Sequence, residues 1–159
     1  MSGFVHLHVH TEYSLLDGAC KIKKMFPLLK EMGQTAVAMT DHGNMYGTIK
    51  FYKTAKEYGL KPILGCEVYT AARSRFDKTR ELDADYGHLV ILCKNNEGYS
   101  NLLEMVSLSN LEGFYYKPRV DLELLKKYNK GLIALSACIA GDVPQKILNG
   151  DYKGAKALA

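Results

Sequence analysis

The 159-residue sequence lacks any run approaching the ~18 consecutive apolar residues that a membrane span requires. It also lacks the pattern of an export signal, because histidines interrupt the first ten residues. The expected setting is therefore a cytosol, with no membrane partner. The four cysteines, at positions 20, 66, 93 and 138, contain no CxxC pair, so reduced thiols are expected rather than a disulfide framework. A strong charge of one sign is missing too. Lys plus Arg number 21 against 17 Asp plus Glu, and a net charge of +4 does not by itself demand a nucleic-acid partner. The chain carries no Walker loop, no GxSxG elbow and no GxGxxG, so nucleoside-triphosphate hydrolysis and serine acyl transfer lack support. No repeat, low-complexity run or linker divides it, which predicts one domain over residues 1–159.

What is present is ordinary globular material, 47% apolar and 24% charged. Apolar spacing predicts strands at 4–8, 35–40, 60–69, 88–93 and 131–135. It predicts helices at 21–32, 45–58, 96–111, 121–128, 142–148 and 152–158, with Gly33 and Gly59 closing the first two. Residues 71–86 read as a charged loop and 113–120 as an irregular aromatic segment. Strand and helix alternate about five times. That order predicts an α/β fold with parallel strands and right-handed crossovers. Five strands are too few to close an eight-stranded barrel, and the last helix is followed by no further strand, so the expectation is an N-terminal piece of a larger domain and chain.

The chemistry gathers near the strand ends. His6, His8 and His10 alternate with Leu7 and Val9, so a strand would place all three imidazoles on one face. Three neutral histidines in a core need partners, and metal ions are the usual ones, although a lone histidine is more often simply hydrogen-bonded. Thr40-Asp41-His42-Gly43 follows the second strand, where α/β proteins build sites; Asp41 could orient an imidazole or bind metal, and a plain turn is the alternative. Glu67 lies in an apolar strand and either faces outward or is paired inside. Cys66 points to the opposite face and reads as core. His88 begins a strand, which by position suggests a structural role. Cys138 follows the fifth strand and is either an inert thiol or a ligand. Asp17 closes a loop as Asp-Gly, a turn signature that could also place a carboxylate over the histidines.

Two basic features are candidate nucleic-acid contacts. Arg73, Arg75 and Arg80 lie in a run of cations that could follow a phosphate backbone, with a solvated loop as the alternative. Phe114, Tyr115 and Tyr116, followed by Lys117 and Arg119, could stack bases, or pack beneath a loop.

The segments His6-Leu7-His8-Val9-His10-Thr11-Glu12-Tyr13-Ser14-Leu15-Leu16-Asp17-Gly18, Thr40-Asp41-His42-Gly43-Asn44 and Gly65-Cys66-Glu67-Val68-Tyr69 occur in the order found in one known family. His88-Leu89, Asn110 to Arg119 and Leu135-Ser136-Ala137-Cys138 continue that order. Together they resemble the polymerase-and-histidinol-phosphatase (PHP) domain, in the branch that opens the alpha subunits of bacterial replicative DNA polymerases. The resemblance implies a distorted (β/α)7 barrel with up to three divalent ions, zinc, manganese or iron, at the carboxyl ends of its strands. It implies His8 and His10 as a ligand pair and Asp17, His42, Glu67, His88 and Cys138 as further metal ligands, with His6 a neighbour. It implies DNA replication, a metal-dependent 3′–5′ exonuclease or phosphoesterase, and DNA and other polymerase subunits as partners. The alternatives are a non-catalytic module of such a polymerase and a stand-alone phosphatase of the histidinol-phosphate type. The family also uses an Asp-x-His late in its barrel. No such motif follows Cys138, so weak or absent activity is expected of these 159 residues alone.

Overall fold

A computed structural model of the chain describes residues 3–159. The first regular element is α1 (Ile22–Glu31). Ile22, Phe26 and Leu29 form its buried stripe, spaced as a helix requires. Its first turn has no side-chain cap of its own. Glu12 instead accepts from the Ile22 N–H at 2.7 Å and from Lys50 Nζ at 2.7 Å. A carboxylate at this end also complements the helix dipole. Gly33 stops the helix with φ 69°, a conformation that costs a residue with a Cβ.

β1 (Ala36–Met39) is wholly buried and leads through residues 40–47 into α2 (Thr48–Glu57). The Phe26 and Phe51 rings meet edge-on at 5.2 Å between α1 and α2. Burying each ring contributes ~1.5–3 kcal/mol. β2 (Lys61–Ala71) is the central strand. The short helix α3 (Arg80–Asp83) interrupts the charged loop before β3 (Tyr86–Cys93). α4 (Asn96–Leu111) starts with Asn95 accepting from the Gly98 N–H. β4 (Phe114–Tyr115) and β5 (Lys117–Val120) make a tight hairpin through Tyr116, at φ 58°. α5 (Leu122–Lys127) is capped by Asp121. β6 (Leu132–Leu135), α6 (Asp142–Leu148) and α7 (Tyr152–Leu158) complete the described chain. A second core sits under α4 and α5, where Leu102, Met105, Val106 and Leu124 cover Cys66, Val68, Ile91 and Val120.

The sheet is mixed, which corrects the expectation of parallel strands. β1 and β5 pair with β2 in parallel, whereas β3 runs antiparallel to both β2 and β6. The cause lies in the β2–β3 connection. A parallel neighbour needs a crossover of a dozen or more residues, usually a helix covering the sheet face. Residues 72–85 instead stay at the end of β2 and turn the chain back. The strands run β4-β5-β2-β3-β6, with β1 also on β2, and do not close into a barrel among the described residues.

Residues 4–10 run alongside β1 without forming a regular strand. Ala38 N–H donates to His6 O at 2.8 Å, but Thr40 N–H donates to Val9 O at 2.9 Å. Three residues of this segment therefore span two of β1, and the side-chain alternation breaks between the two contacts. His6 ends beside Val9, Met25, Leu28 and Val37 in an apolar cleft of about 460 Å³. The three histidines thus do not share one face.

Candidate metal centre

The parallel register of β1 on β2, Met39 opposite Leu64, continues past the end of β1 so that His42 bridges Glu67. Glu67 N–H donates to Asp41 O at 3.1 Å, and Gly43 N–H donates to Glu67 O at 2.9 Å. Gly43 has φ 61°, and a Cβ there would lie 2.9 Å from Pro118 Cγ and from the Tyr69 ring. Glycine is required at this point for both reasons.

Glu67 is 1% exposed and lies inward, paired, which resolves the two orientations open in sequence. Its Oε2 lies 3.1 Å from His8 Nε2, His10 Nε2 and His42 Nδ1, and its Oε1 lies 3.0 Å from His88 Nδ1. His8 Nε2 and His10 Nε2 are 3.1 Å apart. The His10 and His42 rings stack at 3.9 Å and 12°. Asp17 Oδ2 approaches His42 Nε2 at 3.1 Å, and Cys138 Sγ lies 3.5 Å from His88 Nδ1. All seven residues that the resemblance assigns as ligands are therefore brought together around one carboxylate. His88 reaches it because β3 runs against β2, so that the first residues of β3 adjoin the last of β2, with His88 opposite Tyr69.

Hydrogen bonding alone does not account for this crowding. One carboxylate oxygen cannot accept well from three ring nitrogens. Glu67 Oε1 and His42 Nδ1 are buried with no hydrogen-bond partner of acceptable angle among the described residues. Such orphans are expensive unless something else satisfies them. Two donor groups, His8/His10/Glu67 and Glu67/His88/Cys138, each hold their ligand atoms within 4.8 Å of one another. The donor set of imidazole, carboxylate and thiol suits a divalent transition ion. Burial pushes the Glu67 carboxyl up, but the four imidazoles outweigh it and hold it well below the usual carboxylate range. Contact with Glu67 raises His42, against burial, and Asp17 adds to the rise. Cys66 is core, as read from sequence: its thiol donates to Asp41 O, and burial pushes it far above the ordinary range.

Around this centre the structure shows side chains that sequence reasoning missed. Thr11 and Ser14 are fully buried and hydrogen-bonded to Asp41, which is 0% exposed. Asp41 thus orients the ligand-bearing loop rather than touching the centre itself. The one signal available was a Thr and a Ser three residues apart just after the histidine pair, which is too common to single out. Tyr69 and Tyr86 wall the His88 side, with ring centroids 5.3 and 5.9 Å from His88, and burial pushes the Tyr69 phenol up to about 12.

The basic residues need correction. Arg119 is 0% exposed and donates to Gly113 O, Asp83 O, Arg75 O and Asp77 O. Arg75 is buried and paired with Glu112, Asp121 and Glu123. Arg73 forms a two-pronged pair with Asp83. Arg75 and Arg119 are buried and already satisfied, so they hold the loop 72–85 in place and do not face a phosphate backbone, whereas Arg73 pairs with Asp83 and stays 46% exposed. Of the five candidates, Arg73 and Arg80 are exposed, and Lys117, over the Tyr69 ring at 5.4 Å, is partly exposed.

The model of the PHP domain matches residues 6–159. The chain belongs to the PHP domain family. It is 51% identical over 159 residues to the DNA polymerase III subunit alpha of Borreliella burgdorferi, covering 98% of this chain and 14% of that protein. It is 51% identical over 158 residues to the Thermus aquaticus subunit, covering 97% of this chain and 13% of the relative. The chain thus spans about a seventh of the curated relatives it matches. Among solved structures, an amidohydrolase from Chromobacterium violaceum with bound sulfate and no metal aligns at TM-score 0.46 and 20% identity, over 67% of this chain and 33% of that one. The residues that carry the resemblance sit within and just after residues 4–10, after β1, late in β2, early in β3 and after β6. No helix among the described residues is long and apolar enough to cross a membrane.

Proposed function

We propose that this PHP domain is a divalent-metal phosphoesterase that shortens DNA from its 3′ end, as part of a replicative polymerase alpha subunit acting with DNA and other polymerase subunits in the cytoplasm. The observation that supports it is Glu67, a buried carboxylate with four imidazole nitrogens at 3.0–3.1 Å. A protein core does not keep such a set without a cation to share.

His8, His10 and Glu67 would hold one ion, and Glu67, His88 and Cys138 another, with Asp17 and His42 adding ligands beside them. Zinc, manganese and iron all suit this mixture of nitrogen, oxygen and sulfur. Bound ions would supply positive charge to a phosphate and lower the pKa of a bound water. The chain's own task is then positional. Glu67 stays ionised because the imidazoles outweigh its burial. Asp17 is 60% exposed on the open side, where a strand end could enter. Lys117, over the Tyr69 ring that borders His42 and His88, is a cation that could meet a phosphate there.

Elemental analysis of protein purified without chelator tests the reading. Zinc, manganese or iron is expected in the wild type, and His8→Ala with His10→Ala should remove most of it. With manganese added, 5′-labelled single strands should shorten from the 3′ end, and His8→Ala should lower that rate by about tenfold or more. Equal metal content in wild type and double variant would overturn the proposal.

A further inference from the structure

Ser14 sits behind the proposed centre, 3% exposed, and the proton positions around its hydroxyl can be counted. A serine hydroxyl offers one donor and two acceptor sites. Its proton goes to Asp41 Oδ1 at 2.7 Å. Asp41 also accepts from Thr11 N–H at 2.6 Å on the same oxygen and from Thr11 Oγ1 at 2.7 Å on the other. A carboxylate has no proton to give, so in the 2.7 Å pair with Asp41 the single Ser14 proton is the one donated. One lone pair of Ser14 Oγ accepts the His42 N–H at 3.2 Å. The other faces His10 Nδ1 at 3.5 Å. Toward His10, then, the oxygen can only accept.

We infer that Ser14, locked by Asp41, is a positioning residue that fixes the ring state of His10. It places the His10 proton on Nδ1 and leaves the Nε2 lone pair for a metal ion, and it tethers the backbone of His42 through the same oxygen. The inference rests on the metal reading above and adds to it a residue that is itself no ligand. The two stacked rings, His10 and His42, belong to different loops, and Ser14 is the atom-level link between them. Thr11 and the peptide groups of Asp41 and Glu67 complete the same junction: Asp41 O accepts Glu67 N–H, so one residue ties three ligand-bearing segments together. Groups that orient metal-bound imidazoles in this way typically matter 10–100-fold for metal affinity.

The test uses zinc as the probe. Proton–nitrogen spectra of the imidazoles are recorded on the zinc-loaded chain, and zinc affinity is measured by chelator competition, for wild type, Ser14→Ala and Ser14→Thr. In the wild type, His10 should bind zinc through Nε2 and show an Nδ1 proton protected from exchange with water. In Ser14→Ala that protection should vanish and the zinc dissociation constant should rise ~10–100-fold. Ser14→Thr, which keeps the hydroxyl, should restore both. A loss of stability alone would not alter which nitrogen carries the proton. His10 bound through Nδ1 in the wild type overturns the inference, whether or not Ser14→Ala folds. So does an unchanged proton and unchanged affinity in Ser14→Ala. Absence of zinc uptake by the wild type is a different result: it removes the metal reading and this inference with it.

Discussion

Replacing Arg119 by methionine keeps most of the buried stem and removes the guanidinium. In the wild type that group donates at 3.1 Å to Gly113 O, 3.1 Å to Asp83 O, 3.2 Å to Arg75 O and 2.8 Å to Asp77 O. Three of these acceptors lie in the loop 72–85 and one in the turn before β4, so a single side chain holds two irregular segments to β5. Each orphaned carbonyl costs ~1–3 kcal/mol where water cannot reach it. Four would give on the order of 8 kcal/mol, but the loop lies at the surface and relaxes to hydrate some of them. With about half of them hydrated, the expected loss is about 4 kcal/mol. For a chain of this size, each kcal/mol moves Tm by ~2–4 °C, so thermal denaturation should show a drop on the order of 10 °C. DNA binding measured well below the melting range should be unchanged by Arg119→Met, and weakened by Lys117→Ala. Arg119→Met melting within about 2 °C of wild type while losing DNA affinity would refute the assignment of Arg119 to structure.

Asp121 is held below the usual carboxylate range: burial pushes it up, but the N–H groups of Arg75 and Leu124 and the Arg75 charge outweigh that. A depressed native pKa gives stability that is full above ~pH 4 and is lost as pH falls through the native value, so urea unfolding across pH 6 to 3 should show a falling curve that Asp121→Asn flattens. Gly43→Ala, at φ 61° with Tyr69 and Pro118 at 2.9 Å, should lower stability by ~1–3 kcal/mol and loosen metal binding, both read from melts with and without zinc. Cobalt(II) bound to the wild type should show a thiolate-to-metal charge-transfer band that Cys138→Ser lacks; the same band in both would exclude Cys138 as a ligand.

Much of the proposed centre was legible because metal-ligating residue types are few in kind and fall near strand ends. His8, His10, His42 and Glu67 stand out against apolar neighbours, and geometry gathers them as expected. The helices were legible for a similar reason: Ile22, Phe26 and Leu29 bury one stripe, and the spacing alone says so. The basic residues were not. Arg75 read as a phosphate contact or a solvated cation, and Arg119 as part of a segment that stacks bases or packs beneath a loop. Their partners, Glu112, Asp121 and Glu123 for one and four carbonyls for the other, come together only through the chain's turns. Ser14 was illegible for the opposite reason. Its neighbours in sequence are unremarkable, and its role appears only when the hydroxyl's three hydrogen-bonding positions are assigned in space.

Strand direction was the largest misreading, and it bears on the site. Period-two apolar patterning fixes which face a strand buries but carries no sign of its direction. With β3 parallel to β2, His88 would start at the far end of the sheet, roughly 20 Å from Glu67 at ~3.3 Å per residue. The antiparallel return instead places His88 opposite Tyr69, two residues past Glu67 on β2. The second reversal matters as much. β6 runs against β3, with Leu135 opposite Val90, so the chain leaving β6 heads back toward the edge where His88 lies and delivers Cys138 to it. Two reversals restore the direction of β2. A residue at the start of one strand and a residue after the end of another therefore meet the same carboxylate, and a histidine that position alone assigned to structure lies 3.0 Å from Glu67 Oε1.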